Sequence, residues 1–157
     1  MTTYDTESIT RRIAVTGTRD TGHRTPDEYA GIFADYLGPF ADAHFYLGGA
    51  RGIDSLSLLW LARTTSAGIT VVTPGTVEQQ PEEAREAIRN TAHRIAEIVE
   101  LKAAELTTPA YFARNRWMVD HATMTIGFPR EGAPASGTWH TLDYTADCGK
   151  PRLIVPV

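Results

Sequence analysis

Short β-branched runs alternate with helix-patterned stretches along the whole chain, and that alternation limits the fold more than any other feature of the sequence. RIAVTG (12–17) reads as a buried strand ending in glycine. The stretch 25–40 reads as a helix with Thr25 as N-cap, Pro26 at the first helical position and Asp27 and Glu28 in the first turn. Its apolar residues Tyr29, Ile32, Phe33, Tyr36 and Leu37 share one helical face, and Gly38-Pro39 ends it. AHFYLGG (43–49) is a second strand, followed by a helix over 53–68 closed by Gly68. ITVVTPG (69–75) is apolar enough for a strand buried on both faces. Helices follow at 81–94, 109–122 and 136–149, with strands at 123–129 and in the final PRLIVPV. Residues 95–103 fit either a helix or a strand. Strictly alternating elements predict the α/β class: a single Rossmann-like three-layer domain, with a mostly parallel sheet and helices on both faces.

A chain of 157 residues is one ordinary domain, expected over 11–157 after a flexible N-terminal arm, residues 1–10. The sequence has no apolar run long enough for a membrane span and no signal-like N-terminal stretch. One cysteine, Cys148, excludes an internal disulfide, and together these features place the chain in the cytoplasm, away from membranes. The formal net charge of -4 argues against a broadly basic nucleic-acid coat, so a binding site for an anion must be local. Only Lys102 and Lys150 are lysines, and the remaining side-chain cations are arginines, suited to planar recognition of phosphate.

Ligands of such folds bind beyond the carboxyl ends of the strands. The loops expected there are GTRDTGHR (17–24), GGARGID (48–54), TPGT (73–76) and PREGAPASGT (129–138), and three of them combine glycine with arginine. Gly48 and Gly49 allow positive φ and close backbone approach. The first-turn amides of a helix starting near Gly52 favour an anion, and Arg51 adds a charge-assisted contact of about 1.5–3 kcal/mol. Asp54 is a first-turn cap, or a group that fixes Arg51 or a ribose hydroxyl. Ser136, Gly137 and Thr138 open the last helix in the same way. A plain tight turn and an anion cradle both fit GGARGID. Neither G-x-x-x-x-G-K-[ST] nor G-x-G-x-x-G occurs, which disfavours P-loop and ordinary dinucleotide chemistry.

VTGTR, GGARGID, FARNRWMVDHAT and SGTWHTLDYTADCGKP, in that order, resemble the DprA/Smf–LOG superfamily of Rossmann-like domains, nearest to the branch of DNA-processing protein A. The resemblance implies a ligand site built from Gly17, Thr18 and Arg19; Gly48, Gly49, Arg51, Gly52 and Asp54; Arg114, Asn115 and Arg116; and Ser136, Gly137 and Thr138. It implies a bound nucleotide or other phosphate-containing ligand with no further cofactor. The expected partner is a nucleotide-like small molecule, with single-stranded DNA as the alternative, and copies of the chain are expected to pair as homodimers. The LOG branch, which hydrolyses nucleoside monophosphates, carries a catalytic glutamate where this chain has Thr141, so the catalytic residues stay unknown. A hydroxyl cannot replace a carboxylate there, and Asp143 lies about 200° further round the helix. Asp120 or Glu131 are the remaining substitutes.

Other candidates carry less. The five histidines share no metal-ligand spacing, so no metal is expected. His140 is placed either against a bound base or in packing, and His121 at a helix C-terminus suits the dipole. Cys148 reads as a small buried residue; Tyr111, Trp117 and Met118 as a core stripe, with Tyr111 and Trp117 otherwise part of a groove for single-stranded DNA; and Asp120 as a partner for Arg116 or a group facing water.

Overall fold

The computed structural model describes residues 10–133 and 135–157. The arm expected over 1–10 lies, apart from Thr10, outside them. Six strands form one parallel sheet: β1 (Arg12–Gly17), β2 (His44–Leu47), β3 (Gly68–Thr73), β4 (Glu97–Glu100), β5 (Met124–Phe128) and β6 (Arg152–Ile154). Their order is β4-β3-β2-β1-β5-β6. The helices between them are α1 (Pro26–Tyr36), α2 (Ile53–Thr64), α3 (Glu82–Thr91), α4 (Thr108–His121) and α5 (Gly137–Asp147).

Period-two alternation sorts the strands between two cores. Ile13 and Val15, Phe45 and Leu47, and Ile69 and Val71 face one way, against Phe33 of α1 and Ile53 and Leu61 of α2. Ala14, Tyr46 and Val72 face the other way, against Met118 of α4. Trp117 packs edge-on to Tyr46 with ring centroids 5.9 Å apart, as a core aromatic should. The far layer is partly polar, and Thr145 of α5 donates to Thr125 of β5 at 2.8 Å.

Local signals set most boundaries. Thr25 caps α1 in a full capping box with Glu28, and Ser136 caps α5 by accepting from the Trp139 amide. Within 95–103 only Glu97–Glu100 form a strand, the outer β4, with Glu97, Ile98 and Glu100 exposed. Gly68 does not close α2, which ends at Thr64; it opens β3, where the His44 imidazole fills the space a side chain would need. Cys148 is exposed at the C-cap of α5, not buried.

His44 hydrogen-bonds Thr70 Oγ1 through Nε2 at 2.7 Å, and burial holds its pKa below the ordinary 6.5. A base whose folded pKa is depressed loses stabilisation as pH falls through its unfolded value. Acidification from pH 7.5 to 5.5 should therefore lower the melting temperature more for the wild type than for His44→Gln. Parallel melting curves across that range would contradict this assignment.

Candidate functional site at the sheet's carboxyl end

The first three crossovers wind outward from β1 on one face, and α4 then returns the chain to β5 on the other side of β1. The loops after β1 and β5 leave for opposite faces, which opens a crevice at this switch point. The two strands end level, Gly17 opposite Phe128, and the Thr18 amide extends the ladder by donating to the Phe128 carbonyl at 3.0 Å. A cavity of about 710 Å³ occupies the crevice.

Its walls bring together Gly17, Thr18 and Arg19 from the first loop, and Gly48, Arg51 and Asp54 from the second. Arg114 and Asn115 of α4 and Ser136, Gly137 and Thr138 of α5 complete them. Three expected residues stand apart from the lining. Arg116 is exposed two positions from Arg114, about 200° round α4, and so points elsewhere. Gly49 and Gly52 have φ of +64° and +75° and serve the turn itself.

Arg114 is the centre of the site. Only 3% of it is exposed, yet it lines the cavity. Its Nη1 donates to the Gly48 carbonyl and its Nε to Asn115 Oδ1 at 2.7 Å, while Nη2 has no acceptor among the described residues. Asp54, also buried, accepts from the Ala50 amide at 3.2 Å and faces Arg114 across Gly48. A methyl group on Gly48 would lie 2.7 Å from Asp54 Oδ2 and 2.9 Å from Arg114 Nη1, so only glycine fits between them. Burial pushes the Asp54 carboxyl above the usual range, against the pull of the Arg114 guanidinium and the Ala50 amide. Burial likewise lowers Arg114, opposed by Asp54. Asp54 therefore fixes the loop and faces Arg114, and has no contact with Arg51 of the kind expected.

Of the two helix termini expected to favour an anion, α2 is partly occupied by the protein itself and α5 opens on the cavity. At α2 the Ile53 amide donates to the Thr18 carbonyl at 3.0 Å and the Gly52 amide to Glu83 Oε1 at 3.3 Å, so the protein's own acceptors take the entry to that turn, while the Asp54 and Ser55 amides meet no acceptor among the described residues. At α5 the Gly137 and Thr138 amides meet no acceptor among the described residues, and both residues line the cavity. The positive end of α5 faces the space that Arg114 closes from the opposite side.

Tyr111, Phe112 and Thr108 also line the cavity. Tyr111, read as core or as part of a groove, supports Arg19, whose guanidinium stands 4.8 Å from its ring centroid. Tyr111 lies three and four positions before Arg114 and Asn115, Phe112 three before Asn115, and Thr108 three and four before Tyr111 and Phe112, spacings that share one helical face and were the available signal. His140 stacks on Phe112 at 3.6 Å and is not part of the lining. His121 suits its helix end as expected, with Nδ1 donating to the Trp117 carbonyl at 2.7 Å.

Two carboxylates line the cavity, Asp54 and Asp20, and Asp20 is paired with Arg130. Thr141, at the glutamate position of the LOG branch, is fully buried and donates to the Gly137 carbonyl at 2.9 Å. Asp143 is paired with Arg152, and Asp120 accepts from Tyr144 at 2.7 Å, not from Arg116. That bond raises the Tyr144 pKa above the ordinary phenol value. Among the described residues no cluster of three metal-ligating side chains occurs, and no helix is long and apolar enough to cross a membrane.

The family model described as DNA recombination-mediator protein A matches residues 5–157. DNA processing protein A from Helicobacter pylori, which binds single-stranded DNA, superposes with a TM-score of 0.69 at 18% identity. The match covers 94% of this chain and 66% of that one. DNA processing protein A from Streptococcus pneumoniae gives 0.71, also at 18% identity, over 94% of this chain and 51% of that one. The chain thus spans about two thirds and about half of these proteins, and at such identity the likeness speaks to the fold. No curated protein matches the sequence.

Proposed function

The chain belongs to the DNA recombination-mediator protein A family, and from that premise we propose that it binds single-stranded DNA through a backbone phosphate seated in the switch-point cavity. One observation carries this reading. A buried guanidinium, Arg114, has an uncommitted nitrogen at a cavity whose opposite wall is the open N-terminus of α5. A phosphate oxygen between them takes a charge-assisted bond from one side and backbone amides from the other. Arg19 and Arg51 add charge at the rim, and Tyr111 offers an aromatic face beside the phosphate. The single-stranded DNA binding of the Helicobacter pylori protein supports the choice of ligand. These contacts address backbone, so little sequence preference is expected.

Binding of a labelled oligonucleotide, followed by anisotropy across a salt series, tests the proposal. Three arginines engaging about three phosphates give log K a slope near -2 against log salt, from about -0.7 per phosphate. Arg51→Ala should weaken binding roughly tenfold, whereas Arg116→Ala should leave it unchanged. A flat salt response, or equal losses in the two variants, would remove the cavity from the binding path. A mononucleotide presents the same phosphate; if it bound as tightly as the oligonucleotide, the ligand would be the nucleotide itself.

A further inference from the structure

We infer that a second recess, across the β5–α5 loop from the cavity, receives a nucleobase of the same strand; this rests on the phosphate reading above. The recess has a volume of about 560 Å³ and is walled by Pro129, Pro156, Trp139, Arg130 and Glu131. An indole, two proline rings and a guanidinium favour a flat aromatic guest over a charged one. The Glu131 carboxylate disfavours a phosphate in the recess, which leaves it to an uncharged base.

Two features join the recess to the phosphate cavity. Trp139 directly follows Thr138, so the first turn of α5 offers amides to one space and an indole to the other. The wall between them includes the Arg130–Asp20 pair: Asp20 lines the cavity and Arg130 lines the recess. Those side chains are 38% and 63% exposed, so a strand phosphate can replace Asp20 on Arg130 at small cost. Main-chain bonds hold the base of the recess in place, from the Glu131 amide to the Val157 carbonyl and from the Val157 amide to the Pro129 carbonyl, both 2.8 Å. Its shape therefore exists before any ligand arrives.

The test compares the full chain with its Trp139→Ala and Trp139→Phe variants. Each is titrated with an oligothymidylate and with an abasic strand of equal length, which keeps the phosphates and lacks the bases. The wild type should bind oligothymidylate roughly tenfold more tightly than the abasic strand. Trp139→Ala should lose that preference without change in abasic binding, and Trp139→Phe should restore most of it. Unchanged oligothymidylate binding by Trp139→Ala overturns the inference while leaving the phosphate reading intact. Equal weakening on both strands also overturns it, since Trp139 would then act only by shaping the α5 terminus. If the wild type binds neither strand, the phosphate reading fails and the inference falls with it.

Discussion

An Arg114→Ala protein should lose about 3–5 kcal/mol of stability and at least tenfold in affinity for single-stranded DNA. The first loss arises because the substitution leaves the Asp54 carboxylate buried without the guanidinium that faces it. It also releases the Gly48 carbonyl, which Arg114 holds in place. Against a typical total of about 5–15 kcal/mol this is a large fraction. The second loss is separable from the first. Adding Asp54→Asn removes the stranded charge, so the double variant should recover much of the melting temperature and none of the affinity. If it recovered both, Arg114 would be a structural residue without a ligand contact.

The pH response has a definite sign. Asp54 has a folded-state pKa above its ordinary 3.8, so the folded protein binds more protons than the unfolded one just above that pH. Stability from this group is present below the unfolded value and lost as pH rises through the shifted range. In Arg114→Ala the attraction that opposes the shift is gone, so the variant's deficit should shrink toward pH 4. A deficit that stays constant with pH would point to lost packing instead.

Gly52→Ala should be the most damaging single methyl in the site, at roughly 3 kcal/mol or more. Two causes add. The residue has φ of +75°, where a side chain is strained. Its Cβ would lie 2.5 Å from the Thr18 carbonyl oxygen and 2.7 Å from Arg19 Cα, both backbone atoms that cannot rotate aside. Gly132 separates the causes, because its φ is +76° and nothing lies within 4 Å of a Cβ there. Gly132→Ala should cost only the strain, about 1 kcal/mol. At about 2–4 °C per kcal/mol for a chain of this size, thermal melting resolves the two. Equal shifts would mean that the contact with the first loop is unimportant.

What the sequence disclosed and what it hid divide along the range of the interactions. The α1 start was legible because Thr25, Pro26 and Glu28 carry the whole capping signal within four residues. β4 was ambiguous because an outer strand with one covered side lacks the apolar run of a central one, as Glu97 and Glu100 show. The state of the Gly52 and Ile53 amides was invisible, since their acceptors, Glu83 of α3 and Thr18 of the first loop, are distant in sequence. R-N-R marks α4 as functional but cannot tell which arginine faces the sheet; the helix phase chooses Arg114 and excludes Arg116. The sequence leaves Tyr111 between core and groove because an aromatic at core spacing and one beneath a rim arginine occupy the same face.

The outermost strand has a bearing on how copies of the protein can meet. Among the described residues β4 has no neighbouring strand on its outer side, and a row of peptide groups left that way is a template for lateral growth. Glu97 and Glu100 are exposed and leave opposite faces of the strand, and Glu100 Oε2 accepts from the Val77 amide at 2.8 Å. The strand is also only four residues long. Acidic side chains and a short length make β4 a poor template for sheet-to-sheet polymerisation.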